Sequence, residues 1–392
     1  MLKAFKYRLV PTAEQVILLN KHFGCTRFVF NWALAEKIKV YQTIGKSLTR
    51  FDLSARLTVK KAEHEWLKEV NSQSLQAVLK HLDSAYTRFL REKKGFPRFK
   101  KKQNRQSFEC PQNVWIDDDT GLIKLPKIGK VRAILSRKLK GSVRTVTVSK
   151  TPTGKFFVSV VAETHTAAPK YEAPDPAKAI GIDVGIKHFA TLSTGEKIAN
   201  PKFLSKCLQK LRNLQYRHSK KKKGGSNRNK SRLKVARLYE KVSNQRNDFL
   251  HKVSTRIVRE NQSVCVENLN IIGMVRNHKL AQAVSDVSWG RFVEMLKYKC
   301  EWQGKRLLQI GMFEPSSRLC TCGTRNSNLT LKDRVWLCGV CGAVHERDTL
   351  AANNIVRFAF QKQNKIGWDT SELTLGETVA VATSENQESH SL

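Results

Sequence analysis

A chain of 392 residues with 40% hydrophobic content is long enough for two or three domains that each bury a core. Its 71 lysines and arginines stand against 33 aspartates and glutamates, a formal charge of +38 that a compact fold tolerates best beside a polyanion. Nucleic acid therefore leads as partner, ahead of anionic lipid or a merely basic soluble surface. No apolar run reaches the roughly 18 to 20 residues that span a bilayer, and MLKAFKYRLV lacks the apolar stretch of a secretory signal, so a cytoplasmic protein is expected.

KAFKYRLV alternates apolar and basic residues as a strand does. In PTAEQVILLNKHF, Thr12 is the expected N-cap with Gln15 three residues on, the pattern of a capping box. From about Glu14 to Glu92 the spacing is helical, with Leu75, Val78, Leu79 and Leu82 on one face. Gly95 and Pro97 break that pattern inside KKGFPRFKKKQNR, a run dense in positive charge. Residues 107–163 read as short strands of a small β-barrel or sheet, and THTAAPKYEAPDPAK as a Pro- and Ala-rich linker over 164–178.

Beyond the linker, KAIGIDVGIKHFATLSTGEKI gives two alternating strands around a Thr194-Gly195 turn. A helical hairpin follows, with Leu204, Leu208, Leu211 and Leu214 striped along its first arm and Leu238, Val242, Phe249, Val253 and Ile257 along its second. Its tip, RHSKKKKGGSNRNKSR, is almost all charge. SVCVENLN reads as a buried strand, SWGRFVEMLKYKCEWQG as an amphipathic helix and KRLLQIGMFEP as another strand. From residue 362 the chain is polar, weakly patterned and mildly acidic, the composition of a disordered tail.

Three carboxylates stand out. Strand period two puts Asp183 on one face between Gly181 and Gly185, which is read here as room for a bulky polyanion to approach; an Asp at a bend is the plainer reading. Glu267 ends an apolar strand, where a carboxylate is costly unless water or a cation meets it. Asp348 heads a helix, where capping alone would favour it. An Asp on a first strand, a Glu ending a later one and an Asp heading a final helix form together the ligand pattern of a ribonuclease H-like fold. Oxygen ligands from three elements suit Mg²⁺, which takes its remaining oxygens from water and substrate phosphate. Two such ions roughly 3.5 to 4 Å apart would serve phosphodiester hydrolysis.

Of nine cysteines, Cys25, Cys110, Cys207, Cys265 and Cys300 are scattered and read as reduced structural thiols. Cys320-x-Cys322, then fifteen residues, then Cys338-x-x-Cys341 is the spacing of a four-thiolate structural zinc site, with a redox pair as the alternative. Gly339 and Gly342 permit the tight turn of the second pair, the single spacer makes the first pair the weaker, and His345 is near enough to be a spare ligand.

Taken together, KAFKYRLVPTAEQ, GFPRFKKK, GIDVGIKHFATLSTGE, VCVENLNIIGM and EPSSRLCTCG…CGVCGAVHERDTLAANNI make the chain resemble, over nearly its whole length, the TnpB (OrfB) family of insertion-sequence proteins, relatives of the compact type V CRISPR effectors. That resemblance implies an RNA-guided DNA endonuclease of a transposable element, partnered by guide RNA and double-stranded target DNA, cutting beside a short flanking motif. It implies a multidomain α/β protein with a wedge-like β-barrel (1–12 and 96–163), a helical recognition region (13–95) and a RuvC-type nuclease domain (179–315 and 346–361). The nuclease domain would carry Asp183, Glu267 and Asp348 on Mg²⁺ and an inserted zinc ribbon (316–345) holding Zn²⁺ on Cys320, Cys322, Cys338 and Cys341. A prokaryotic, nucleoid-associated location goes with it.

Two basic tracts are the expected backbone contacts: Lys220, Lys221, Lys222, Lys223, Arg228 and Lys230 at the hairpin tip, and Lys93, Lys94, Arg98, Lys100, Lys101 and Lys102 around Phe96 and Phe99. A solvated tip and rings packed in a core are the plainer readings of these two. The chain departs from the family's usual pattern in the single residue between its first two cysteines, in Glu346 where Asp is usual, and in Leu350 where Asn is common. The competing functions are a guide-carrying DNA-binding regulator without nuclease activity, and a strand-transfer transposase on the same fold.

Overall fold

The computed structural model describes residues 1–366 except Asn104, Ala168 and Leu331, with side chains described as far as Lys362. The expected tail thus lies almost wholly outside the described residues. The chain divides into two compact units at Ala167/Ala168. The expected linker is tethered at both ends: Thr164 exchanges backbone bonds with Met1 in the first unit, while Asp175 N donates to Gln262 Oε1 at 3.1 Å in the second.

The first unit is built on β1 (Leu2–Val10), whose strict alternation buries Phe5, Tyr7 and Leu9. β1 lies inside a seven-stranded antiparallel sheet with β2 (Gln106–Cys110), β3 (Trp115–Asp117), β4 (Leu122–Leu125), β5 (Gly129–Ile134), β6 (Ser142–Lys150) and β7 (Phe156–Glu163). The order is β2-β6-β7-β1-β5-β4-β3, with β2 and β3 at the two ends of the ladder among the described residues. The Thr12/Gln15 capping box is present and starts α1 (Ala13–Ile44), which ends where Gly45 takes φ 67°.

α1 joins two cores. Leu19 and Phe23 pack with the sheet, while Cys25, Val29, Phe30, Ala33 and Leu34 pack with α2 (Arg50–Glu63) and α3 (Ser72–Arg91). The helices are therefore continuous with the sheet through α1 rather than set off from it at residue 13.

The second unit holds β8 (Ala179–Val184), β9 (His188–Leu192), β10 (Lys197–Ala199), β11 (Ser263–Val266) and β12 (Arg306–Gln309) in the order β10-β9-β8-β11-β12. The first three strands are antiparallel neighbours, whereas β11 runs parallel to both β8 and β12. The hairpin α4 (Phe203–Ser219) and α5 (Ser226–Glu260) joins β10 to β11, and α8 (Trp289–Gln303) joins β11 to β12. Between β11 and α8 lie α6 (Ile271–Arg276) and α7 (His278–Val287), which the pattern of apolar residues did not announce. Asp286 of α7 caps α4 from outside, accepting from Leu204 N and Ser205 N, and is neutralised by Arg246 at 3.1 Å.

After β12 comes a cysteine-bearing segment with the two-stranded β13 (Val335–Leu337) and β14 (Val344–Glu346). The last helix, α9 (Arg347–Ile366), runs five residues past the expected end at 361. All nine cysteines are free thiols. Burial pushes Cys25 and Cys110 up to about 11 and Cys265 and Cys300 up to about 12, which keeps them inert. No helix among the described residues is long and apolar enough to cross a membrane.

Candidate functional site: a carboxylate cluster beside a cysteine knot

The sheet brings the first two carboxylates together. β8 and β11 are parallel and in register through Ile182 and Val266, so one residue further along Asp183, still within β8, and Glu267, just past the end of β11, come side by side. The third is delivered by α9, which packs across β8 with Asp348 in its first turn.

That packing depends on Gly181. A Cβ there would sit 1.9 Å from Ala352 O and 2.9 Å from Val356 Cγ2 of α9. The glycine before Asp183 therefore admits a helix, not a polyanion, and the expectation drawn from the flanking glycines is corrected in this respect. Gly185 is less constrained, with its nearest backbone atom, His188 O, 3.2 Å from an added Cβ.

Asp183 feels the other two carboxylates. Burial first, then the charges of Glu267 and Asp348, hold its carboxyl well above the ordinary 3.8, with Arg347 and Arg334 opposing. The neighbours are also fixed. Ser316 Oγ donates to Glu267 Oε1 at 2.5 Å, and Arg334 Nη1 stands 3.4 Å from Asp348 Oδ1. Asn354, buried one turn and a half along α9 from Asp348, donates to Ser316 O and Leu319 O at 2.7 Å and so ties the start of the cysteine segment to the helix. Ser316, Arg334 and Asn354 were not singled out in the sequence, although EPSSRL and LAANNI carried two of them; polar residues in a motif disclose no partner until the fold brings the segments together.

The four sulfurs of Cys320, Cys322, Cys338 and Cys341 lie within 4.8 Å of one another. Cys320 is 3.5 Å from Cys341, and Cys322 is 3.7 Å from Cys338, so the shortened first pair still brings both its sulfurs into the cluster. Hydrogen bonding to Thr324, and then the neighbouring thiols, pull Cys322 down to about 6. The donor set fits structural zinc, a four-thiolate shell with no open position. His345 is not a spare fifth ligand in this arrangement: its Nε2 meets Cys320 Sγ itself at 2.9 Å while its ring packs on Trp336 at 4.8 Å between centroids. Such a contact orients a ligand from outside the shell.

Both departures in the last motif have local explanations. Glu346 pairs with Lys197 and accepts from Thr349 at 2.8 Å, and Leu350 is buried with Cys320, Leu329, Trp336 and Cys338 in the small core of the knot.

At the hairpin tip Lys220, Lys222, Lys223 and Lys230 are exposed and Lys221 half-buried, whereas Arg228 donates to His218 O at 3.2 Å and Lys221 O at 2.7 Å and so fastens the turn. In the other tract Arg98, Lys101 and Lys102 are exposed. Lys100 is exposed as a residue, but its ammonium sits over the Phe30 ring at 4.1 Å, where burial lowers its pKa to about 8. Phe96 packs edge-on against Tyr86 and Phe89, while Phe99 is half exposed.

A parallel strand pair carries two of the carboxylates, a helix carries the third, and the four-thiolate knot is joined to that helix; comparison with known proteins places the chain among relatives. Residues 158–278 match the OrfB family of the IS605 type, described as "Probable transposase", and residues 289–355 match the "Cas12f1-like, TNB domain". Residues 1–46 match a family described as a helix-turn-helix domain, although here they form one strand and one long helix.

A Streptomyces pristinaespiralis protein named "Putative RNA-guided DNA endonuclease" is 42% identical over 362 residues, covering 90% of this chain and 88% of its own. InsQ of Escherichia coli K12, of the same description, is 32% identical over 372 residues, covering 91% and 92%. The chain belongs to this family, the TnpB (OrfB) proteins. A solved Cas12f1 complex with guide RNA and target DNA overlays with a TM-score of 0.48 at 13% identity, covering 91% of this chain and 98% of that one.

Proposed function

We propose that the protein is an RNA-guided DNA endonuclease of a transposable element that hydrolyses phosphodiesters at Asp183, Glu267 and Asp348. The observation that carries this reading is the register of β8 and β11, which sets Asp183 beside Glu267, with α9 adding Asp348 over Gly181. The sheet order, three antiparallel strands followed by two parallel ones, supports a ribonuclease H-like, RuvC-type domain. The names of the relatives support guidance by RNA.

A buried carboxyl whose proton affinity is raised by burial and by the charges of two neighbouring carboxylates fits a divalent cation, and Mg²⁺ there would supply Lewis acidity and an activated water. The chain's own residues hold the cluster in shape. Ser316 fixes one oxygen of Glu267, Arg334 restrains Asp348, and burial keeps Asp183 poised for a cation rather than for solvent. In this reading the first unit supplies the wedge-like and recognition regions. The exposed lysines at the hairpin tip, with Arg98, Lys101 and Lys102, neutralise phosphates. Zn²⁺ on the four cysteines braces the segment ahead of Asp348.

The test is cutting of double-stranded DNA by the purified protein with its co-purifying RNA. Cutting should need Mg²⁺, the RNA and a matching target beside one short motif; joined rather than merely cut ends would move the assignment to strand transfer.

A second expectation separates brace from site. Cys338→Ser should lose zinc, lower the unfolding temperature by several degrees and reduce cutting with it. Asp348→Ala should stop cutting and leave zinc content and melting nearly unchanged. Metal analysis and calorimetry on the two variants check this, and equal loss of folding in both would contradict it.

A further inference from the structure

β12 ends beside the carboxylates and passes the chain to a short loop, residues 311–315, fastened there at both ends. Ile310 N donates to Val266 O at 3.1 Å, one residue before Glu267, and Ser316 Oγ donates to Glu267 itself at 2.5 Å. Within the loop Glu314 folds back towards Gly311, where an added Cβ would lie 3.3 Å from its Cγ and Oε1, and Ser316 N closes onto Glu314 O at 2.8 Å. Phe313 stands at the apex, three residues from each anchor, so that its backbone is at most roughly 10 Å from either.

Its side chain is 92% exposed, more than any other large apolar side chain among the described residues, and its neighbour Met312 is 47% exposed. A single exposed apolar residue elsewhere on a surface would ask for no explanation. This one stands on a loop fastened at one end to Glu267 and at the other to the backbone of the residue before it. Cationic side chains grip phosphates but leave bases unheld, whereas an aromatic face stacks on any base without regard to sequence. An enzyme that takes its sequence from a guide needs that kind of contact at the cut.

We propose that Phe313 stacks on a base of the DNA strand next to the phosphodiester being cut, as a positioning residue that sets the strand's register over Asp183, Glu267 and Asp348. The inference rests on the nuclease reading above.

Phe313→Ala and Phe313→Trp, in the full chain carrying its RNA, test it. Phe313→Ala should cut about tenfold more slowly and Phe313→Trp within about threefold of the parent, with RNA binding unchanged. Among targets bearing one abasic nucleotide near the cut, one position should slow the parent about as much as Phe313→Ala does and slow that variant no further, a coupling that a merely structural role would not produce.

Fluorescence of a single-stranded oligonucleotide containing 2-aminopurine gives a readout that does not depend on cutting. The parent and Phe313→Trp should quench it, and Phe313→Ala should not. If the parent cuts and Phe313→Ala cuts as fast, the stack is wrong and the nuclease stands. If quenching depends on Phe313 but the parent never cuts, the base contact stands and the nuclease reading fails. Quenching indifferent to Phe313 overturns the inference in either case.

Discussion

Asp183→Asn should abolish DNA cutting, by about a thousandfold or more, and at neutral pH without divalent cation it should make the protein more stable. The second half follows from the electrostatics. Asp183 is an acid held above its ordinary 3.8 by burial and by the charges of Glu267 and Asp348, so the folded state disfavours its ionised form. Its charge therefore costs nothing below that ordinary value, where it is protonated both folded and unfolded. The cost grows as pH rises above 3.8 and is complete above the folded pKa.

Removing the charge while keeping the shape should raise the metal-free melting temperature at pH 7 by about 2 to 8 °C, corresponding to about 1 to 2 kcal/mol in a unit of this size. The difference should shrink as the pH is lowered towards 4. Added Mg²⁺ should stabilise the parent and do much less for the variant, since a cation bound only by the folded state shifts its melting. Calorimetry at two pH values, with and without Mg²⁺, measures all of this. A variant no more stable than the parent at pH 7 would mean that the three carboxylates do not repel as described, and surviving cutting would remove Asp183 from the site.

Much of this was legible in the sequence because strand periodicity and metal spacing are local. KAFKYRLV alternates because one face of β1 is core, and the capping box at Thr12 fixes the start of α1 from four residues. The positions of Asp183, Glu267 and Asp348 could be read as strand, strand end and helix start, and the structure puts them on those elements. Contacts between distant segments could not be read in this way. Nothing in the spacing of Ser316 announces Glu267, nothing at Asn354 announces Leu319, and the run of lysines gave no sign that Arg228 is the residue that closes their turn.

α6 and α7 went unread for a related reason. They are short, and α7 is held by Asp286 reaching across to the start of α4, a tertiary bond rather than a run of good helix formers. The single spacer in Cys-Thr-Cys marked a weakness that folding removes, because the backbone around Thr324 and Gly323 turns both sulfurs inward.

The glycine beside Asp183 is the sharpest case, and it leads to the other large effect. Gly181→Ala should destabilise the second unit by about 2 to 4 kcal/mol and reduce cutting by at least about a hundredfold, while zinc content and RNA binding persist. The added methyl would meet Ala352 O at 1.9 Å, a backbone atom of a buried helix that no side-chain rotation can move aside. α9 must lift or slide, and Asp348 in its first turn moves with it, away from Asp183 and Glu267. The four sulfurs, all N-terminal to α9, keep their mutual geometry.

Gly185→Ala is the control, for there the nearest atom stands at 3.2 Å and a shift of a few tenths of an ångström accommodates the methyl. Were the two glycines present to let a polyanion reach Asp183, both substitutions would raise the target concentration needed for cutting and neither would lower the melting temperature much. Helix packing predicts instead a large loss of stability and rate at 181 and a small one at 185. Melting curves and cutting rates of the two variants, measured side by side, decide between a glycine that makes way for substrate and one that seats the helix carrying the third carboxylate.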